Sequence, residues 1–293
     1  MSAAPLHRPV LEWYDACARD LPWRAPGTSP WAVLVSEVML QQTPVARVQP
    51  VYGAWLARWP GPVELAAAAP GEAIRQWGRL GYPRRALRLH ECARVLVERH
   101  GGQVPRELEA LRALPGVGDY TACAVAAFAF GQPVAVVDTN VRRVLARAMS
   151  GAAHAAPSLT RAEHDLAAAA VPSDGTAPRW AVAVMELGAL VCQARAPRCD
   201  ACPIAASCAW RLAGAPEHTG PRRRGQAWTR TDRQARGALL AVLRSRHDGA
   251  SESDLAAAWD EPVQRGRALA SLAADGLVER TPDRRWRLPG ALG

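Results

Sequence analysis

Apolar residues recur at helical spacing through most of the first 215 positions. Residues 8–19 put Val10, Leu11, Tyr14 and Cys17 or Ala18 on one face, and Leu21-Pro-Trp-Arg24 ends that helix. Ser29 can cap, and Pro30 can open, a second helix running from Trp31 to Thr43. That helix is nearly all apolar; its polar exceptions include Glu37 and Gln41, one turn apart on one face. Pro and Gly separate further helical patterns at 45–58, 63–68, 71–78, 84–100 and 106–113. Leu114-Pro-Gly-Val-Gly118 then breaks the pattern, and the small-residue run Tyr120 to Phe130 resumes it, which predicts an αα-hairpin with a short turn. Val134 to Val137 reads as extended, Asp138 precedes a helix from Thr139 to Met149, 150–160 as a loop, and 160–170 and 178–191 as helices. No strand pattern of any length precedes residue 220, so the body is expected to be all-α.

The pattern changes after Pro221. Arg222-Arg-Arg224 marks a linker, set at 216–230. A helix follows from Asp232 to Arg246 with Ala235, Leu239 and Leu243 inward. Ser251-x-x-Asp254 caps a second with Leu255 and Trp259 on one face, and a third runs from Pro262 to Asp275, stopping at Gly276. Leu277 to Arg280 and Arg285 to Leu288 read as two strands around Pro282-Asp283. Three helices and a hairpin make residues 231–293 a winged-helix-like module, with Arg265 and Arg267 on its third helix. Duplex binding, contact with a base opposite a target, or protein docking are all open to it.

Composition narrows the partners. The 293 residues carry a formal charge of +9 with pI near 9.8, which favours an anionic partner such as nucleic acid. The chain contains no lysine, and its 36 basic residues are all arginine. Met1 to Asp20 has no apolar run fit for a signal peptide, and the longest apolar stretch, Tyr120 to Val137, is broken by Gly131-Gln132-Pro133. A cytoplasmic protein with no membrane partner is expected.

Candidate chemistry lies in three places. Glu37 on a helix apolar on most sides needs a partner or a function; walls of Leu34, Val38 and Met39 are expected to raise its pKa. In the hairpin, Gly116 and Gly118 let the backbone approach a ligand, and the following helix N-terminus suits a phosphate. Cys17, Cys92 and Cys123 are scattered in helical patterns, whereas Cys192-x6-Cys199-x2-Cys202-x5-Cys208 is a compact quartet. Spacing alone leaves zinc and an iron–sulfur cluster both open. Arg195, Arg198 and Arg211 flank the ligands as a possible phosphate-binding surface.

Several segments together resemble one family. Leu21-Pro-Trp-Arg24, Ser36-Glu-Val-Met-Leu-Gln-Gln-Thr43, Gly81-Tyr82, Leu114-Pro-Gly-Val-Gly118, Val137-Asp138-x-Asn140-Val-x-Arg143, Met185-Glu-Leu-Gly-Ala-Leu-Val-Cys192 and the cysteine quartet occur in the order found in helix-hairpin-helix DNA glycosylases with an iron–sulfur cluster, and within them in MutY-type adenine glycosylases. The resemblance covers residues 8 to about 212. It implies a two-lobed, all-α helix-hairpin-helix glycosylase fold: an iron–sulfur lobe of 1–24 and 134–215, a six-helix lobe of 25–133, and an active cleft between them. It implies a 4Fe–4S cluster on Cys192, Cys199, Cys202 and Cys208, and a monovalent cation at the hairpin carbonyls. The implied partner is double-stranded DNA with a mispaired or oxidised base, bound by a monomer in the nucleoid; the implied reaction is hydrolytic removal of adenine opposite 8-oxoguanine or guanine, the target nucleotide being flipped out.

The resemblance also assigns roles. Glu37 matches the general acid that protonates the departing adenine. Asp138 matches the carboxylate that stabilises the sugar cation; as a helix N-cap it is expected to have a lowered pKa. Tyr120 sits where lyase-competent relatives carry a Schiff-base lysine, so a monofunctional enzyme is implied, and the absence of lysine agrees. Asn140 would orient the water or pair with the turn backbone. Gln41, Gln42 and Tyr82 match residues that wedge into the base stack or contact the opposite base; Trp23 and Arg24 match the pocket rim. Leu114, Gly116, Val117, Gly118 and Arg143 complete the expected DNA contacts. Two departures stand out. Val182 occupies the place where adenine-specific members often carry Gln or Glu, which keeps a thymine/guanine mismatch glycosylase open as an alternative. The roughly 70 residues after Pro221 are too few for the pyrophosphatase-like domain that often ends the family. A non-catalytic iron–sulfur DNA-binding module is the reading from another class.

Overall fold

The computed structural model describes residues 3–217 and 231–290. In chain order its helices are α1 (Ala4–Cys17), α2 (Pro30–Leu40), α3 (Val45–Arg58), α4 (Pro62–Ala67), α5 (Pro70–Trp77), α6 (Arg84–His100), α7 (Leu108–Arg112) and α8 (Asp119–Phe130). There follow α9 (Thr139–Ser150), α10 (Arg161–Ala169), α11 (Ala177–Leu190), α12 (Ala209–Leu212), α13 (Asp232–Ser245), α14 (Glu252–Ala258) and α15 (Pro262–Ala274). Among the described residues, the strands are β1 (Glu279–Arg280) and β2 (Trp286–Arg287), near the C-terminus. The expected all-α body is found. Of the expected linker, the part from residue 218 lies outside the described residues.

Local chemistry sets the boundaries. Asp138 accepts the Val141 N–H and caps α9; Thr160 and Glu163 form a capping box at α10, as Ser251 and Asp254 do at α14. The second helix stops at Leu40, short of Thr43, because Gln42 turns left-handed (φ 54°) and the Thr43 N–H folds back to the Leu40 carbonyl at 3.2 Å. Short helical turns at Pro22–Arg24, Cys199–Ala201 and Ala205–Ser207 have too few residues to show a period in the sequence.

Contacts group the chain into two units: Met1–Val33, Arg106–Arg112 and Val117–Arg222; and Leu34–Pro105, Ala113–Gly116 and Arg223–Gly293. The core of the first joins Leu6 and Val10 of α1 to Val144 and Leu145 of α9 and to Trp180, Val184 and Leu187 of α11. A smaller cluster sets Cys123, Ala124 and Ala127 of α8 against Val136 and Ala181.

The second unit contains the C-terminal module. Helices α13, α14 and α15 and the antiparallel β1–β2 hairpin, in register Glu279↔Arg287 and Arg280↔Trp286, form the winged-helix-like arrangement; Ala250 bridges to Trp286. Its core of Leu239, Leu243, Leu255, Leu272 and Leu288 also takes in Ile74 of α5, with Leu87 of α6 packed against it. Gly71 donates to the Pro289 carbonyl at 2.8 Å, and a Cβ there would come within 2.7 Å of that oxygen, so the close approach requires glycine. Arg244 donates to the Ile74 carbonyl at 3.0 Å. The module therefore shares its core with α5 and α6. Arg265 and Arg267 do not present a basic reading face on α15: Arg265 is buried on Glu252 (3.0 Å) and the Trp259 carbonyl (2.8 Å), and Arg267 pairs with Asp232 (2.6 Å). Among the described residues, no helix is long and apolar enough to cross a membrane.

Candidate active site

In the first unit the residues around Asp138 form a continuous polar chain. One Asp138 oxygen accepts the Val141 N–H at 2.7 Å; the other accepts the Asn140 side-chain amide at 2.8 Å. Arg143 donates to the Asn140 side-chain oxygen (2.7 Å), the Gly188 carbonyl (2.7 Å), the Cys192 carbonyl (2.7 Å) and the Thr139 carbonyl (3.3 Å). Four of its five N–H groups are thus used within the protein. Gly188 packs against Asn140 so closely that a Cβ would lie 2.7 Å from the Asn140 Cβ. Arg143 therefore ties α9 to the end of α11 and the first cysteine, a role that its expected DNA contact did not suggest.

The expected lowering of the Asp138 pKa is not found. Desolvation pushes this carboxyl above its ordinary value; the Val141 and Asn140 hydrogen bonds and the Arg143 charge oppose the rise without cancelling it. The N-cap was legible, but the extent of burial was not.

Arg24 and Trp23 precede α2. Trp23 is buried. Arg24 donates to Glu186 at 2.9 Å, beside Arg19, which reaches both oxygens of the same carboxylate at 2.7 Å. Glu186 is fully buried on α11, and against the opposing effect of that burial the hydrogen bonds from Arg19 and Arg24 pull its carboxyl down to about 2. Sequence reasoning passed over Glu186, although a Glu within the apolar pattern of α11 was the available signal. Val182, one turn earlier on α11, is partly exposed. Tyr120, in the first turn of α8, packs against the Ala124–Val136 cluster.

In the second unit Glu37 is buried on α2, 5% exposed, between Ser36 and Val38, both also buried. Beyond the end of α2, Gln41 and Gln42 form one turn and Gly81 and Tyr82 another; Gln42 and Tyr82 both adopt positive φ (54° and 46°). Arg85 holds the two turns together. It donates to the carbonyls of Val38 (3.0 Å), Met39 (3.2 Å), Gln41 and Gly81 (3.2 Å), and to the Thr43 hydroxyl (2.9 Å). Burial lowers its pKa to about 10, still protonated at neutral pH. Net charge gave no hint that this arginine faces inward.

The hairpin glycines differ. Gly116 is left-handed (φ 79°), and a Cβ there would lie 2.8 Å from the Arg88 Cβ. Gly118 is extended at the N-cap of α8, and a Cβ there would meet nothing within 4 Å, which leaves open space at the helix start. Leu114 and Val117 are buried.

Cys192, Cys199, Cys202 and Cys208 all line one pocket of about 390 Å³, counting the open space at its mouth. Buried Arg147 donates toward the Cys192 sulfur at 3.4 Å and to the Gln193 carbonyl at 2.8 Å, and its guanidinium lies 4.9 Å from the Trp210 ring centre. Among the described residues, no three His, Cys, Asp or Glu side chains are placed to hold a metal ion by themselves. Four thiols with a neighbouring guanidinium nevertheless suit an anionic thiolate-bound group. Arg198 donates to the Leu190 carbonyl and Arg211 to the Cys199 carbonyl at 3.2 Å, so both brace the loop.

Residues 35–167 match the HhH-GPD superfamily base excision DNA repair proteins. Over 283 residues, 96% of the chain and 92% of the relative, the sequence is 56% identical to the adenine DNA glycosylase of Mycobacterium tuberculosis. The chain belongs to the MutY-type adenine DNA glycosylase family. A second such glycosylase, from Mycolicibacterium smegmatis, is 54% identical over 99% of the chain and 97% of its own length, so the winged-helix-like module falls within the matched length. A thermostable thymine-DNA glycosylase superposes with a TM-score of 0.66 at 29% identity, covering 72% of this chain and 97% of that one, which bears out the helix-hairpin-helix glycosylase fold.

Proposed function

We propose that the chain is a monofunctional base-excision-repair enzyme that binds duplex DNA and hydrolyses the N-glycosidic bond of adenine mispaired with 8-oxoguanine or guanine. The observation that carries this reading is near-full-length identity to two adenine DNA glycosylases, with Glu37 and Asp138 each in a built environment. In this mechanism the bond between the sugar C1′ and the base nitrogen breaks, its electron pair leaves with the base, and Glu37 supplies the proton that lets adenine depart as a neutral molecule. The sugar is left cationic. Asp138 faces that charge as an anion held by Val141 and Asn140, and its desolvated surroundings strengthen the attraction. Water completes the reaction at C1′. With no lysine in the chain, no side-chain Schiff base forms.

Cys192, Cys199, Cys202 and Cys208 would hold a 4Fe–4S cluster, whose bonds to the four thiolates would fix the 192–208 loop. That all four line one pocket, with the Arg147 guanidinium beside the Cys192 sulfur, supports an anionic thiolate-bound cluster there. A monovalent cation at the hairpin carbonyls, a monomeric state and a nucleoid location are part of the same reading.

Val182 and the likeness to a thymine-DNA glycosylase favour one rival, thymine removal from T·G pairs. Single-turnover excision on duplexes carrying A·8-oxoguanine, A·G, T·G and A·T, with Glu37→Gln alongside, separates the two. Rapid adenine release opposite 8-oxoguanine, abolished by the substitution, is expected; faster thymine release, or none from any duplex, refutes the proposal.

A further inference from the structure

Arg85 does more in the second unit than join two turns. Helix α2 ends at Leu40, and the last four carbonyls of a helix must find partners outside its regular ladder. The Leu40 carbonyl takes the Thr43 N–H at 3.2 Å. Those of Val38 and Met39, the two residues after Glu37, take the Arg85 guanidinium at 3.0 and 3.2 Å. A cation is also the favoured partner for the negative end of a helix. Arg85, on α6, thus closes the helix that carries Glu37.

The same guanidinium continues past the helix end. It donates to the Gln41 carbonyl and the Thr43 hydroxyl, on either side of Gln42, and to the Gly81 carbonyl just before Tyr82. Gln42 and Tyr82 are both left-handed, a state that a non-glycine residue keeps only when its surroundings hold it there. Two more bonds tighten the Tyr82 turn: the Trp77 indole N–H donates to the Gly81 carbonyl at 2.9 Å, and the Arg85 backbone N–H to the Tyr82 carbonyl at 3.0 Å. The guanidinium lies 5.4 Å from the Trp77 ring centre and 5.2 Å from that of Tyr82. One planar group therefore meets the end of α2, the Gln42 turn and the Tyr82 turn. An ammonium group, with three tetrahedral donors, cannot bridge five acceptors so arranged.

We propose that Arg85 is a positioning residue that couples the opposite strand to the general acid: it makes the placement of Glu37 depend on the base that presses on the Gln42 and Tyr82 turns. This rests on the adenine-glycosylase reading above, with the two turns contacting the base opposite the target and Glu37 protonating adenine. A shift of either turn passes through one rigid group to the Val38 and Met39 carbonyls, directly after Glu37. Arg85 touches neither base. It acts by aligning Glu37, where a misplacement of about 1 Å costs on the order of 10²-fold in rate.

The test is single-turnover adenine excision by the full chain, at saturating protein, from duplexes with 8-oxoguanine, guanine or a tetrahydrofuran abasic site opposite adenine. The last presents no base to either turn. Arg85→Lys keeps the charge and loses the planar fork. It is expected to slow excision at least about ten-fold opposite the two purines and less than about three-fold opposite tetrahydrofuran, so that the wild-type preference for a purine collapses. Thr43→Val removes one acceptor and leaves the arginine in place, so it should show the same selective loss at roughly three-fold. This second variant decides the matter if thermal melts show Arg85→Lys unfolded at the assay temperature. An equal loss on all three duplexes means that Arg85 only supports the fold, and overturns the proposal, as do unchanged rates or a wild type indifferent to the opposite base. Wild-type protein that releases adenine from none of the duplexes overturns the glycosylase reading itself, and the coupling with it; in the other refuting outcomes wild-type excision persists.

Discussion

Replacing Glu186 with Gln tests the electrostatic centre of the first unit. The carboxylate is fully buried and receives three hydrogen bonds from Arg19, counting its backbone N–H at 3.1 Å, and one from Arg24. Its pKa falls from an ordinary 4.5 to about 2, which corresponds to about 3 kcal/mol of stabilisation of the ionised form. Arg19 is about one-third exposed, so solvent screens part of this, and about 2 kcal/mol is the better expectation. Gln keeps the shape but leaves two guanidinium groups facing a neutral amide, and Arg24 already has one buried nitrogen without a hydrogen-bond partner. At pH 7 the variant should lose about 2 kcal/mol, or roughly 4–8 °C of melting temperature.

The pH dependence follows from the sign. A depressed folded pKa contributes stability that is fully present above the unfolded value of 4.5 and is lost as pH falls toward about 2. Urea titrations of wild type and Glu186→Gln at several pH values should therefore show a gap that is constant from pH 7 to 5 and narrows steadily below 4.5. A gap that stays constant to pH 3, or is negligible at pH 7, would show that the pair does not stabilise the fold in this way. Arg24 precedes α2, so weaker binding of the A·8-oxoguanine duplex should accompany the loss.

Further substitutions probe the site residue by residue. Asp138→Asn should slow excision by at least about 10²-fold, yet stabilise the protein above the raised carboxyl pKa, where the buried anion is a burden, with no gain below the unfolded value; pre-steady-state kinetics and urea melts check both signs. The acid limb of the wild-type rate profile should lie above that of an ordinary aspartate, and a limb at or below it would contradict the desolvation seen here. Gly116→Ala forces a Cβ against Arg88 from a left-handed backbone and should cost about 1–3 kcal/mol of stability, whereas Gly118→Ala should cost under about 1 kcal/mol yet weaken duplex binding, since its Cβ enters open space at the helix start. Arg143→Ala removes four hydrogen bonds and should destabilise by at least about 2 kcal/mol and, if the proposed cluster is bound, speed loss of its visible absorbance; an unchanged melt would dismiss the link drawn between α9 and Cys192.

The helices were legible because their apolar faces repeat at 3.6 residues and their ends carry chemical signals, as at Asp138, Thr160 and Ser251. The C-terminal module was legible for the same reason, down to its capping box and hairpin. Contacts between distant segments were not. Nothing local to Glu186 announces Arg19 and Arg24, 167 and 162 positions away, and nothing local to Ile74 announces that it completes the core of a module beginning more than 150 residues later. The pKa of Asp138 failed for a related reason: its hydrogen bonds lie within three residues and could be read, whereas its desolvation comes from segments that the local sequence does not name.

A formal charge of +9 suggests a basic coat, but several of the arginines are used internally. Arg85, Arg143, Arg147 and Arg265 each bind several acceptors inside one unit, and the first three hold the turns, cap and loop bearing candidate residues. Such positions need a planar fork with five donors, which an ammonium group cannot supply, so the absence of lysine has a consequence beyond excluding a Schiff base. One residue type serves both as internal staple and as outward cation, and only the acceptors around each guanidinium tell them apart. By that criterion Arg143 and Arg265 are internal staples in this structure.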